Sequence, residues 1–434
     1  MSESIQNRIS YLNEIIPKVN LVNSSINKDT IYNTYIPLIE KHLSDVLEEK
    51  NKYHSTNEFN FIDLFSGAGG LSLGFEQTGI YPTKALDNNQ HANLTYWFNR
   101  PYMKKVDLIS QGIETVDLSS LNKTPLIIGG PPCQGFSNAN KQKIKNDSRN
   151  KLYKFFVKSL NKLQPSLFLM ENVPGILKFK NIINEDFNNA GYTVKPFAFN
   201  TSDFGFPQNR KRVFFIGINK KCKKIHTELF SIMSELFIHK INRDFNLSDA
   251  ISDLPELRAK TVKNKTNFES NDWGYTISKV YNFSSKYCLL INNNKNLTFP
   301  LLNHKSKYNN ERDINIYRLL KQGEKSDAKS IKDINPYKRR NNIFKDKFFK
   351  LKDHLPCKTI TSHMYYDCHM YIHPNQARGL TPREAARVQG FPDSYLFLGS
   401  PNEWYRQIGN SVSPILAKLI AQKTLKILKR IYSV

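Results

Sequence analysis

Two hydrophobic rhythms divide this 434-residue chain. From residue 59 short apolar runs alternate with amphipathic stretches, which predicts alternating strands and helices and therefore an α/β sheet. The strand candidates are FNFIDLF (59–65), YPTKALD (81–87), MKKVDL (103–108), PLIIGG (125–130), SLFLMEN (166–172), YTVKPFAFN (192–200) and RVFFIGIN (212–219). From about residue 216 to about 355 the alternation dissolves into Asn, Lys, Ser and aromatics. Helical spacing returns after 375, in LTPREAARVQGFP and in PILAKLIAQKTLKILKRI, where Leu416, Leu419, Ile420, Leu425 and Ile427 or Leu428 fall at core spacing. Ahead of the first strand, DTIYNTYIPLIEKHLSDVLEEK carries Ile39, Leu43, Val46 and Leu47 on one helical face, with Pro37 starting or kinking that helix.

This length exceeds what one core usually fills. The pattern suggests a helical N-terminal extension over 1–57, a sheet domain over 58–219 completed by 375–434, and a second domain over 220–374. Trp273, Tyr275, Tyr281, Phe283 and Tyr287 indicate packed structure in that middle segment rather than a mobile insertion.

The first five strands each end in polar or Gly/Pro residues: Asp63, Asp87, Asp107, Gly129-Gly130-Pro131-Pro132 and Glu171. In an open parallel sheet, ligands bind outside the carboxyl ends of the strands, so these ends are expected to line one crevice. DLFSGAGGLSLGFEQTG (63–79) reads as strand, glycine turn and helix start, with Gly67, Gly69 and Gly70 letting backbone approach a ligand. Such a turn also serves tight strand–helix packing, so its meaning depends on its neighbours. Asp87 ends the next strand, where a carboxylate accepts from ribose hydroxyls. Asp107 is placed for an adenine amino group, and Phe65 offers an apolar face. Carboxylate, ribose and adenine sites together describe an amino-acid nucleoside better than a dinucleotide.

Charge adds a partner. The formal net charge is +25, and residues 220–352 hold 28 Lys and Arg against 14 Asp and Glu. A basic excess of this size favours a polyanion, although it also serves solubility. No run approaches the ~18 apolar residues of a membrane span, and the N-terminus lacks a secretory pattern. The five cysteines are scattered and form no C-x-x-C, which points to a reducing cytoplasm without disulfides or a zinc site.

Within PLIIGGPPCQGFSNAN (125–140), Cys133 sits on a bent loop after a strand, among residues that make a poor core. A lone cysteine is usually a buried, unreactive thiol; these neighbours favour a nucleophile. Glu171, in LMENVPG, is a carboxyl in an apolar run, where a raised pKa keeps it protonated; the plainer role is capping the turn at Pro174-Gly175. Arg210 and Arg212 occupy alternate positions of an emerging strand and so point the same way, either into the crevice or along a solvated basic edge.

Taken together these residues resemble the DNA (cytosine-5) methyltransferase family. DLFSGAGG looks like its cofactor loop and GGPPCQGFS like its catalytic loop; ENVPG, QNRKRVF, RGLTPREAARVQGFPDSY (378–395) and QIGNSVSP (407–414) follow in family order. The resemblance covers about 59–219 and 355–434, and the basic middle occupies the slot of the family's variable target recognition domain. Asp87 stands where Glu is commoner, Asn88 where an aromatic or apolar residue often packs, Asn89 where Asp is common, and Val106 where Gly often precedes Asp107. These departures touch the details of cofactor packing.

The resemblance implies a Rossmann-like S-adenosylmethionine-dependent methyltransferase sheet with a smaller basic target recognition domain. It implies Cys133 as nucleophile toward cytosine carbon 6, Glu171 on ring N3 and the exocyclic amine, Arg212 on O2 and Glu171, and Arg210 nearby on phosphate or substrate. S-adenosylmethionine would lie across Phe65, Ser66, Gly67, Gly69, Gly70, Asp87, Asp107, Leu108 and Asn410. Gln134 and Ser137 would contact DNA, and the flipped-out target nucleotide would be held by a closing loop. The expected partner is double-stranded DNA, bound by a monomer with an affinity that falls steeply with salt. No metal and no membrane are expected, and the type resembles bacterial restriction–modification methylases with a separate cognate endonuclease. Four other readings compete. The same chemistry on tRNA would not need the large basic segment, and an adenine-N6 or cytosine-N4 amino-methyltransferase would not need a thiol. A silent DNA-binding module would not need Cys133, Glu171 and Arg212 intact, and a nicotinamide or flavin oxidoreductase explains only the glycine turn.

Overall fold

The structure, a computed structural model, describes residues 2–54, 59–132, 151–222, 226–237, 244–340 and 346–432. Cys133, Gln134 and Ser137 lie outside the described residues. The chain divides into two compact units. One comprises Met1–Val46, Phe206–Asn209 and Asp244–Asn410; the other comprises Leu47–Gly205, Arg210–Arg243 and Ser411–Val434.

The second unit is built on a seven-stranded sheet. Its strands are β1 (Asn60–Leu64), β2 (Tyr81–Leu86), β3 (Leu108–Ile109), β4 (Leu126–Gly129), β5 (Leu167–Asn172), β6 (Tyr192–Asn200) and β7 (Lys211–Asn219), in the order β3-β2-β1-β4-β5-β7-β6. The first five are parallel neighbours, whereas β7 runs antiparallel to both β5 and β6. Strand order reverses between β1 and β4, where Leu64 pairs with Gly129. This reversal opens a crevice at the carboxyl ends of these two strands.

Six of the seven strands stand where the apolar runs predicted them. The third differs: Lys105–Asp107 form a 3₁₀ turn, and only Leu108–Ile109 pair with β2. Strand residues alternate between faces. Ile62 and Leu64 join Ile127, Phe168 and Met170 in a core closed by helix α3 (Lys151–Leu163) and helix α4 (Lys180–Asn189), through Phe156, Leu160, Ile183 and Phe187. The other face is covered by helix α1 (Gly70–Glu76) and helix α5 (Pro414–Tyr432), and helix α2 (Gln90–Phe98) packs Tyr96 against Ala85 of β2. A Cβ on Gly74 would stand 2.4 Å from the Cβ of Ala417, so glycine permits this helix crossing. Along α5, Leu416, Ile420, Ile427 and Leu428 are buried, while Leu419 and Leu425 are half-buried.

Alternation also sends Asp63 to the α1 face. It is buried and accepts a hydrogen bond from the hydroxyl of Ser72, which in turn contacts the Tyr96 hydroxyl at 2.8 Å. Asp63 therefore does not line the crevice, contrary to the expectation from its place in the strand. Burial raises its carboxyl from 3.8 to about 7, against the lowering by Ser72 and Arg100. The folded protein thus holds this proton more tightly than the unfolded chain. The stability this lends is full below 3.8 and is lost as pH rises toward about 7. Urea midpoints measured at about pH 5 and about pH 8 should drop for the wild type by more than for Asp63→Asn. Equal drops would place the titration elsewhere.

In the first unit, the N-terminal segment forms a helix over Glu3–Ile15, a two-residue strand at Asn20–Leu21 pairing with Phe268–Glu269, and the start of helix Ile36–His54, whose residues from Leu47 onward belong to the second unit. A π-helical turn over Ile31–Tyr35 precedes Pro37 and widens the helix where proline lacks an N–H. Ile39 and Leu43 are buried, Val46 and Leu47 half-buried. The basic middle contributes an antiparallel pair, Gly274–Phe283 with Leu297–Lys305, and Tyr275, Phe283 and Tyr287 are buried in it. Helix Pro382–Gln389 begins in a capping box between Thr381 and Glu384 and ends at Gly390 in the left-handed region. Among the described residues, no helix is long and apolar enough to cross a membrane, and no cluster of His, Cys, Asp or Glu is arranged to hold a metal ion.

Candidate active site

The crevice between β1 and β4 gathers two groups of residues. On the β1 side the chain turns through Phe65, Ser66 and Gly67. Phe65 has φ of +63°, a conformation uncommon for a bulky residue and characteristic of strained functional turns. Gly67 has φ of +54°, and a Cβ there would meet nothing within 4 Å, so its backbone faces open space. Asp87, one residue beyond β2, accepts from the N–H of Gly67 and the N–H of Asn89, each at 2.8 Å. Burial raises the Asp87 carboxyl, and these two donors lower it in turn. Each carboxylate oxygen retains acceptor capacity for a further donor.

Gly69 has a different reason for being glycine. At φ of +80°, its Cβ would stand 2.6 Å from the Arg100 guanidinium. Arg100 is buried, donates through Nη2 to the Gly69 carbonyl at 2.9 Å, pairs with Glu76 at 2.6 Å, and lies 3.7 Å from the Tyr96 ring centroid. Gly69 thus serves an arginine brace rather than ligand approach. Gly70 opens α1. Asp107, in the 3₁₀ turn, pairs with Lys84 at 2.8 Å and accepts from the Lys104 N–H at 3.1 Å. Leu108 is half-buried against the Ala85, Tyr96 and Met103 cluster. Asn410, exposed, ends helix Pro401–Asn410 of the other unit.

On the β4 side, Glu171 projects from β5 and pairs with Arg212 of β7, Nε to Oε1 at 2.8 Å, both side chains nearly buried. A Cβ on Gly130 would stand 3.1 Å from Glu171 Oε2, so the loop leaving β4 passes directly over the carboxyl. The next residue but one from Gly130 is Pro132, where the described loop ends. Asn172 Nδ2 donates to the Pro131 carbonyl at 3.1 Å and holds that loop base in place. Burial raises the Glu171 carboxyl, opposed by Arg212 and then Arg210. Arg210 is buried, and its Nη2 donates to the Ser411 carbonyl at 2.8 Å. The two arginines therefore differ: one guanidinium meets the carboxyl, the other fastens the start of α5.

The cysteines divide as well. Cys222, Cys288, Cys357 and Cys368 are free, and burial pushes each thiol up, to about 12 at Cys288 and Cys357 and to about 11 at Cys368. None of these four is poised as a thiolate.

Arg100 and Asn172 were not among the sequence candidates. Arg100 is a single arginine at the end of an amphipathic helix and carries no motif; Asn172 is the central residue of ENV and was legible in principle. The chemistry at the β1 side is that of a nucleoside cradle: open space at a glycine, a bulky ring on a strained turn, and a carboxylate with acceptor capacity facing that turn. It fits S-adenosylmethionine, with its ribose diol and adenine.

The family model for C-5 cytosine-specific DNA methylases matches residues 59–426. The chain is 32% identical over 391 residues to the type II methyltransferase M.DdeI of Desulfomicrobium norvegicum, covering 84% of this chain and 88% of that protein. It is 31% identical over 382 residues to the type II methyltransferase M1.HphI of Haemophilus parahaemolyticus, covering 84% of this chain and 86% of that one. Among solved structures, one described as a DNA modification methyltransferase encoded within an E. coli prophage superposes with a TM-score of 0.63 at 31% identity, over 86% of this chain and 99% of that chain. A mostly parallel sheet with its order reversal beside a glycine turn that faces a carboxylate, a carboxyl–guanidinium pair under the following loop, and this breadth of similarity agree: the chain belongs to the C-5 cytosine-specific DNA methylases and is a DNA cytosine-5 methyltransferase.

Proposed function

We propose that this enzyme methylates carbon 5 of a cytosine flipped out of duplex DNA, within one short sequence, through a covalent adduct on Cys133. The observation that carries this reading is the Glu171–Arg212 pair at 2.8 Å, seated beside Gly130 at the base of the loop that leads to Cys133. Burial raises the thiols of the four described cysteines, which supports Cys133 as the nucleophile.

In this reading the Cys133 thiolate adds to carbon 6, forming a carbon–sulfur bond while the ring's electron pair moves toward N3 and carbon 5. Glu171 donates a hydrogen bond to N3 as negative charge develops there and accepts from the exocyclic amine. Arg212 orients Glu171 and bonds O2. Arg210 fixes the chain that presents Arg212. The family uses S-adenosylmethionine, which when bound supplies an electrophilic methyl group to carbon 5. Phe65, Ser66, Gly67, Asp87 and Leu108 would hold it, with Gly69 and Gly70 shaping the turn, Asp107 near the adenine and Asn410 as a further candidate. Loss of the carbon-5 proton to a base then expels the Cys133 thiolate. Ordered water is the simplest base for this step.

Gln134 and Ser137 would hold the phosphates flanking the flipped nucleotide, and the basic segment 220–374 would act as the target recognition domain. Its relatives' type II designation supports a methylase that protects host DNA, as a monomer in the cytoplasm, from a separately acting cognate endonuclease. Bisulphite sequencing of plasmid DNA from expressing cells tests the reading. Protected cytosines should recur in one short context and be absent for Cys133→Ala. Lack of protection by folded wild-type enzyme would overturn it, and methylated RNA in the same cells would redirect the substrate assignment.

A further inference from the structure

The unit containing Asp244–Asn410 carries an exposed aromatic tip. The 3₁₀ turn Ser362–Tyr365 leads into Tyr366, whose side chain is 70% exposed. An exposed ring needs no explanation by itself, but the backbone beneath this one is unusually well anchored. Lys307 Nζ donates to the carbonyls of Met364 at 3.0 Å and Tyr365 at 2.7 Å, and to Asn402 Oδ1 at 2.8 Å. Asp367 pairs with Lys347 at 2.7 Å and lies 3.6 Å from His363 Nε2. A Cβ on Gly409 would stand 2.2 Å from the Ser362 nitrogen, so the turn lies flat against helix Pro401–Asn410.

The surroundings of the ring are aromatic and cationic. Tyr365 meets Tyr366 edge-on at 5.0 Å, His363 lies 5.7 Å from it, and the Arg406 guanidinium sits 3.8 Å from the Tyr365 ring centroid. A ring held in place before its partner arrives loses little conformational freedom on docking. Its π-face suits a nucleobase, and cationic neighbours suit a phosphate backbone. Single-stranded or unstacked bases are recognised by this combination.

We propose that Tyr366 contacts DNA directly, its ring stacking on a base that unstacks as the duplex opens. This rests on the flipping reaction proposed above and adds to it a residue that stabilises the opened duplex. Stacking one base on an aromatic side chain supports an affinity change of about 10- to 100-fold.

The test uses the full-length enzyme and a duplex bearing the methylated context found by bisulphite sequencing, with 2-aminopurine at the target position as the flipping probe. Tyr366→Ala should weaken binding about 10- to 100-fold and diminish the fluorescence rise, while Tyr366→Phe should stay near wild type with an unchanged salt slope. A Phe variant as weak as the Ala variant would show that the hydroxyl, not the ring, makes the contact, and would overturn stacking. An Ala variant equal to wild type would remove Tyr366 from the interface altogether. If wild-type enzyme methylates DNA and only these variants contradict the expectation, the inference fails alone; if wild type neither binds nor methylates the duplex, the flipping reading falls with it.

Discussion

Glu171→Gln is expected to lower kcat by about 10²- to 10⁴-fold while changing affinity for duplex DNA little. The amide preserves shape and can still accept from the exocyclic amine, but it cannot supply an acidic proton as charge builds on N3. The wild-type carboxyl is suited to that task because burial raises it, with Arg212 and Arg210 opposing. The acid form is the active one in this scheme. Activity should therefore decline as pH rises through a value above the ordinary glutamate range, and the glutamine variant should lack that alkaline limb. Single-turnover methyl transfer across about pH 5 to 9 measures both features. A glutamine variant with near wild-type kcat, or with the alkaline limb intact, would show that Glu171 only shapes the pocket.

Arg387→Met is expected to cost about 3–5 kcal/mol of stability, the usual penalty for stranding a buried charge. Arg387 lies on helix Pro382–Gln389 and pairs with Asp393 at 2.7 Å, both side chains fully buried, and with Asp253. Its guanidinium also donates to the Ala250 carbonyl at 3.2 Å. Methionine fills the volume but leaves the Asp393 carboxylate without its counter-charge in a site closed to water. A urea midpoint shifted by that amount would confirm the account. A shift below about 1 kcal/mol would mean that the carboxylates find other donors or take up protons. Replacing Asp393 together with Arg387 should recover part of the loss, since a neutral pair strands no charge.

The same helix shows how a sequence motif can be recognised before its purpose is known. RGLTPREAARVQGFPDSY was legible as a family motif, yet its arginines prove to be internal. Arg378 forks onto Glu384 at 2.8 and 2.7 Å. Arg383 donates to the carbonyls of Leu302, Pro392 and Tyr395. In a protein with a surplus of 25 positive charges, sequence cannot separate an arginine that meets DNA from one that meets carbonyls, because the residue type serves both.

Local pattern by itself determined six of the seven strands of the sheet, the helical spacing over LTPREAARVQGFP, and the identity of Glu171, Asp87 and Gly67 as residues worth watching. Continuous apolar runs bury on both faces, helical spacing repeats within a few residues, and a polar group ending an apolar strand stands out against its neighbours. Tertiary structure alone decided what depends on partners distant in the chain. Asp63 and Asp87 look alike in sequence, yet strand alternation and the cover of α1 turn one inward to Ser72 and leave the other facing the glycine turn. Gly69 and Gly67 look alike, yet Arg100 stands against one and open space beside the other. Arg210 and Arg212 are two residues apart, yet Arg212 pairs with Glu171 while Arg210 donates to the Ser411 carbonyl. Side-chain chemistry is written locally, but burial and pairing are set by which elements the fold brings together.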